Sequence, residues 1–313
     1  MKQTTKHRLT LDRSKVVELV VVGAALAGLI GLALLSPRGI PLPVLYGYVA
    51  ASAAVGLGLY ATLRGFDQAL RRRLVLVPLA ASLFGAAAFR DPAGALFQIE
   101  GLFFDLFAGV LLAAVVHYLI AKLLGPLLFG RVWCGWACWT AALLDQLPFK
   151  RSPGRLAPRW GRLRYAHLAL SLGLVAALWF GLSYRPGAFG PPALAWFLAG
   201  NALYDLVGVG LAFALRDNRA FCKYACPVAA ILKLGAPFAL LKVRGAAERC
   251  CARQVCEKVC PMDIRISEYV RRGERVGASE CILCQACIAV CPEDALALSF
   301  GRDHGGPDLL RQR

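Results

Sequence analysis

Long apolar stretches dominate the first two thirds of the chain, most near or beyond the roughly 17–25 residues that cross a bilayer as a helix. They are Val16–Leu35, Val44–Leu63, Leu74–Phe89, Ala95–Ile120, Tyr165–Tyr184 and Ala193–Leu215. The third is short and holds Pro78. Past residue 218 the pattern changes. Val228–Leu241 is apolar but broken by Gly235 and Pro237, so it predicts a helix lying in the membrane interface rather than crossing it. From Ala246 to Gly301 cysteines punctuate short mixed segments, and Met262–Glu280 predicts a solvated helix and turn with Arg271, Arg272 and Glu274. The expected layout is a basic tail (1–15), a six-helix membrane zone (16–218), a linker (219–245), a cysteine-rich α+β domain (246–301) and a flexible tail (302–313) holding Gly305-Gly306-Pro307.

Charge orients this polytopic α-helical scheme. The chain has 36 Lys and Arg against 19 Asp and Glu. With the N-terminus inside, segments 1–15, 64–73, 121–164 and 216–313 hold 33 of the 36, leaving Arg38, Arg90 and Arg185 outside. Positive residues beside spans stay cytoplasmic, so six spans with both termini inside satisfy the asymmetry. Without the third span, the cluster at 121–164 changes sides. The loop at 150–164 is basic and punctuated by Pro and Gly. The net charge of +17 then serves orientation and attraction to anionic lipid heads. No nucleic-acid recognition module accompanies it. The first apolar run is longer than a signal-peptide core and predicts a retained anchor.

All twelve cysteines fall on the predicted cytoplasmic side or at its boundary, where reducing conditions favour metal ligation over disulfides. Cys281, Cys284, Cys287, Cys291 and Pro292 form a C-x2-C-x2-C-x3-C-P run, the ligand spacing of a bacterial 2x4Fe-4S ferredoxin, whose fourth cysteine ligates the other cluster. That exchange groups Cys260 with Cys281, Cys284 and Cys287, and assigns Cys291 to a second cluster with Cys250, Cys251 and Cys256. The second motif is incomplete: Arg253 stands where a cysteine is expected, so either Cys251 substitutes for it, or the cluster is a three-iron form, or it is absent.

Two further pairs, Cys134/Cys138 and Cys222/Cys226, lie in an internal repeat in which Arg131-Val-Trp-Cys-Gly-Trp-Ala-Cys-Trp139 aligns with Arg219-Ala-Phe-Cys-Lys-Tyr-Ala-Cys-Pro227. On a helix, i and i+4 share a face. Two such faces present four thiolates, enough for a further cluster or for copper. Trp133, Trp136 and Trp139 read as interfacial anchors. Upstream, Leu102–Leu106 echoes Ala202–Leu206, placing Asp105 and Asp205 deep in their spans as candidates for proton coupling to quinone oxidation. Glu100 is expected nearer the outer surface. His117 and His167 fall near span ends and allow a haem only weakly. No nucleotide-binding loop is present.

The combination of spans, paired C-x3-C motifs, Cys226-Pro-Val-Ala-Ala and Val259-Cys-Pro-Met-Asp-Ile264 resembles the NapH/NosR/MauN-type membrane ferredoxins over about residues 95 to 300. Trp139 in place of proline, and Arg253, depart from that pattern. The resemblance implies a bacterial plasma-membrane protein relaying electrons between quinone or a cytoplasmic donor and a partner reductase or maturation system. A copper reductase or metal-handling factor and an iron-sulfur redox sensor are the competing expectations.

Overall fold

The computed structural model describes residues 13–35, 40–64, 66–89, 97–111, 113–187, 190–303 and 305–313. Most of the expected basic tail therefore lies outside the described residues. Five helical segments are long and apolar enough to cross a membrane: Val16–Leu35, Pro43–Thr62, Gln68–Phe89, Pro158–Gly181 and Pro191–Leu215. They belong to α1 (Arg13–Leu35), α2 (Leu42–Thr62), α3 (Gln68–Phe89), α9 (Leu163–Ala176, with short turns on either side) and α10 (Pro191–Leu215). Prolines open α2 and α10, where a missing N–H costs nothing. Pro78 does not break α3. Gly56 of α2 lets the two backbones approach beside Leu74 and Val75, and Ser82 donates to Ser52 of α2 at 2.7 Å. Small residues at a helix contact commonly allow such packing in membranes.

The expected fourth span, Ala95–Ile120, is not one helix. α4 covers only Ile99–Phe107. Gly109 then takes φ +68°, the left-handed backbone that ends helices and that glycine adopts freely. The chain restarts as α5 (Ala113–Tyr118) and passes through a π-helical stretch, Leu119–Leu124, into α6 (Gly125–Phe129).

Beyond α6 come four short helices in two matching pairs: α7 (Val132–Trp136) with α8 (Trp139–Leu144), and α11 (Ala220–Tyr224) with α12 (Pro227–Gly235). The expected interfacial helix is α12, which ends at Gly235. Its neighbours Leu234 and Phe238 stay exposed. β1 (Leu241–Gly245) follows and pairs antiparallel with β2 (Leu296–Phe300), Val243 opposite Leu298. β1, inside the segment expected to be linker, thus pairs with a strand of the cysteine-rich segment. Between the strands lie α13 (Val255–Lys258), α14 (Ile266–Arg271) and α15 (Ala286–Ala289). α14 is solvated on one side only: Arg271 is exposed, whereas Ile266, Tyr269 and Val270 are buried.

The C-terminal segment expected to be flexible is tied to the 150–164 loop and to the cysteine-rich segment. Arg155 and Gln312 form a backbone bridge, as do Ile264 and Leu310. Arg311 donates to Asp263 at 2.8 Å. Residues 305–313 therefore run across both the 150–164 loop and the cysteine-rich domain, because charged side chains there find buried partners that Gly and Pro content does not reveal.

Candidate metal centre

The two C-x3-C motifs fold alike. Cys134 lies in α7 and Cys222 in α11, and each helix stops at once. Ala137 and Cys138 both bond back to the carbonyl of Trp133, as Ala225 and Cys226 do to that of Phe221. Cys138 and Cys226 then open α8 and α12 in extended backbone. The pairs therefore do not sit on one continuous helix as their spacing suggests. The break brings all four thiols to one cavity. Pro227 occupies the first turn of α12, a favourable but dispensable choice. Trp139 holds the equivalent place in α8 without altering the motif.

Arg131 and Arg219, each three residues before its cysteine, reach across the repeat. Arg131 Nη2 donates to the Cys222 carbonyl at 3.3 Å, and Arg219 Nη1 to the Cys134 carbonyl at 2.9 Å. Each guanidinium also lies 4.0 Å from the sulfur of its own motif's first cysteine. Carboxylates from elsewhere anchor them: Glu280 holds Arg131, and Asp145 holds Arg219 at 2.6 Å and Arg72 at 2.5 Å. Lys122 lines the cavity beside Arg131, its Nζ 3.3 Å from the Trp133 ring centre, and Arg72, Arg155, Arg164 and Lys233 crowd the same two carboxylates. Buried cations are costly unless compensated, and here they outnumber the carboxylates. An anionic thiolate-bound 4Fe-4S cluster fits that surplus. Four neutral thiols do not supply the missing negative charge. Burial, and then the neighbouring Cys134 and Cys222, push the Cys138 thiol up to about 12. Burial raises Cys222 and Cys226 as well. Ligation requires thiolates, so metal uptake here must expel protons.

The remaining cysteines line two more cavities. Cys260, Cys281, Cys284 and Cys287 share one with Val243, Met262 and Ile282. Cys250, Cys251, Cys256 and Cys291 share the other with Arg253. Burial pushes Cys260 up to about 12, and Cys256 and Cys281 up to about 11. The two half-motifs repeat in backbone detail. Ala252 and Gln254 have positive φ, as do Leu283 and Gln285. The Ile264 and Ala295 amides point at the sulfurs of Cys260 and Cys291 at 3.5 and 3.3 Å. Arg253 therefore occupies the place that Cys284 fills in the complete motif. Cys251 reaches the cavity from an exposed loop position.

One hydrophobic core borders all three groups of cysteines. Cys134 packs in one core with Cys260, Ile282, Leu283 and Cys287, and Cys250, Cys256 and Cys291 border that core. Trp136 Nε1 donates to the Leu283 carbonyl at 3.0 Å, and Gln68 Nε2 to that of Cys284 at 3.1 Å. A Cβ on Gly135 would collide with the Ile282 carbonyl oxygen. Gly135→Ala should therefore force α7 off the 281–285 loop and destabilise the protein by about 1–3 kcal/mol, as overpacking does. Thermal unfolding of the detergent-solubilised protein, with iron content measured in parallel, checks this.

Several expected assignments change. The tryptophans are half-buried: Trp139 donates to Asn201 at 2.6 Å, Trp136 to Leu283, and Trp133 lies under Lys122. His117 packs on Trp133 and Phe97, while His167 meets the Ala225 carbonyl at 2.7 Å. Of the two, His117 lines the four-thiol cavity. Asp105 is buried at the end of α4, and Asp205 is partly buried within α10. Asp205 stands fourteen residues before Arg219, whereas fourteen before Arg131 is His117. The aspartates are thus not equivalent in the folded repeat. Glu100 is not wet. It accepts from Ser171 at 2.7 Å and Tyr204 at 3.3 Å. Arg131, Arg219 and Glu280 were visible only as repeat positions and as a ligand's neighbour.

A family described as a 4Fe-4S binding domain matches residues 106–154 and 189–243. These segments contain Cys134, Cys138, Cys222 and Cys226, and none of the eight cysteines beyond residue 243. Among curated proteins, the uncharacterized protein MJ0749 of Methanocaldococcus jannaschii is 27% identical over 55% of this chain and 67% of its own length. The "Putative electron transport protein YccM" of Escherichia coli K12 is 27% identical over 54% of this chain. The chain spans about half, 52%, of YccM. No solved structure matches. The uncharacterized protein MJ0750 of M. jannaschii is 31% identical over 63% of this chain and 86% of its own length. On that coverage the chain belongs to the same family as MJ0750, and it carries a 4Fe-4S binding domain of which the two C-x3-C repeats are part.

Proposed function

We propose that this protein is a membrane-bound electron carrier holding three 4Fe-4S clusters, a compact NapH-like or MauN-like member of its class. It would join the quinone pool of a bacterial plasma membrane to a redox partner or reductase on the cytoplasmic side. The observation that carries this is one buried core shared by cysteines of all three groups, with surplus buried positive charge around the group that lies against the membrane helices. Bound there, a thiolate-ligated cluster supplies one-electron chemistry at a potential set by charge, hydrogen bonds and exposure.

The protein's own part is to hold and shield. Arg131 and Arg219 clasp the two repeats, and Trp136 and Gly135 seat the middle cage on α7. Topology follows the charge pattern, with both termini inside and α4 to α6 forming a broken fourth crossing. A cavity of about 850 Å³ between α1, α3 and α8, lined by Leu26, Leu29, Phe84 and Trp139 with Glu18 and Gln146 as its polar members, suits a lipid-soluble quinone in size.

The test is quinol-dependent reduction of the clusters in proteoliposomes, followed by electron paramagnetic resonance. Reduction by quinol or by a low-potential cytoplasmic donor supports the proposal. Clusters that stay oxidised with both overturn it. One copper per chain, lost in a Cys134/Cys222 double variant, would replace it with metal handling.

A further inference from the structure

We infer that Glu280 is a positioning residue whose single charge, set among four cations between the middle and membrane-side cages, tunes the potentials of the groups those two cages hold. Glu280 directly precedes Cys281 and is 1% exposed. It meets Arg131, which lies three residues before Cys134. Arg155 of the 150–164 loop, Arg164 of α9 and Lys233 of α12 complete the shell at 3.0, 3.0 and 2.9 Å.

A second buried network joins the same two cages. Lys223, the neighbour of Cys222, contacts Asp217 at 2.6 Å and Asp263 at 2.5 Å. Asp263 lies three residues after Cys260 and also takes Arg311. That network has two cations and two carboxylates, so docking explains it fully. Around Glu280, one carboxylate faces four cations, of which, among the described residues, only Lys233 has a second carboxylate partner, Asp308 at 3.0 Å. If docking alone were needed, one cation would serve, and each extra buried charge adds desolvation cost. A surplus of positive charge stabilises whatever nearby group gains an electron. Removing Glu280 increases the surplus, and removing Lys233 reduces it. The two changes must therefore act in opposite directions, which a purely structural role does not produce.

This inference rests on the three-cluster proposal, and the experiment separates the two. Full-length protein, purified anaerobically in detergent, is titrated potentiometrically with cluster signals read by electron paramagnetic resonance. In Glu280→Gln the midpoints of the middle and membrane-side clusters should rise, while the outer cluster stays put. Glu280→Asp should return them toward the wild-type values. In Lys233→Met, a substitution at a partly exposed position, the same two midpoints should fall. If Glu280→Gln does not load its clusters, Lys233→Met decides alone. Equal shifts of all three clusters, shifts of one sign in both variants, or unmoved midpoints in loaded protein overturn the role of Glu280. A wild-type protein without a membrane-side cluster overturns the three-cluster proposal instead.

Discussion

Cys134→Ser should strip the membrane-side centre and spare the other two. About four of about twelve irons per chain would be lost, at four per cluster, and quinol would no longer reduce the rest. Cys134 is buried, and its thiol is one of four lining a cavity in which Arg131 and Arg219 bring positive charge to within 4.0 Å of sulfur. A serine hydroxyl is a hard ligand and a weak acid, so it replaces neither the soft donor nor its negative charge. The ferredoxin cages draw on other cysteines and keep their ligands. Iron and sulfide analysis, with spectra of the remaining clusters, checks the result. Equal loss from all three centres would show that Cys134 acts through folding.

Lys223→Met should be the most damaging change away from the cysteines. Lys223 is wholly buried, and its removal leaves Asp217 and Asp263 sharing the Ser152 hydroxyl, with Arg311 as the remaining salt-bridge cation among the described residues. Breaking a buried pair from one side costs about 3–5 kcal/mol. Thermal unfolding in detergent should show that loss. Adding Asp263→Asn should recover part of it, since one of the stranded charges is then gone. A single variant as stable as wild type would mean that the network does not hold the cysteine-rich domain to the membrane helices.

Much of this architecture is readable in the residue pattern, for identifiable reasons. Four of the five long helices follow from apolar length, and the third, short and holding Pro78, from charge asymmetry as well. Hydropathy does not register backbone conformation, so the break at Gly109 was invisible inside an apolar run. The interruption between Cys222 and Cys226 had a signal, since Pro227 commonly marks a first helical turn. Four-residue spacing is equally compatible with one unbroken helix, and that ambiguity hid the break in both repeats. The pairing of Arg131 with Glu280 spans 149 residues, and that of Lys223 with Asp263 joins separate domains. Local pattern contains no trace of either. The tail misled for the same reason, because Asp308 and Arg311 are fixed by distant partners, Ser279 and Asp263.

Iron and acid-labile sulfide per chain in anaerobically purified wild-type protein test the three-cage account most directly. About twelve of each are expected, four for every cage. About eight, with Cys134→Ser unchanged from wild type, would contradict it by leaving the membrane-side cysteines without a cluster.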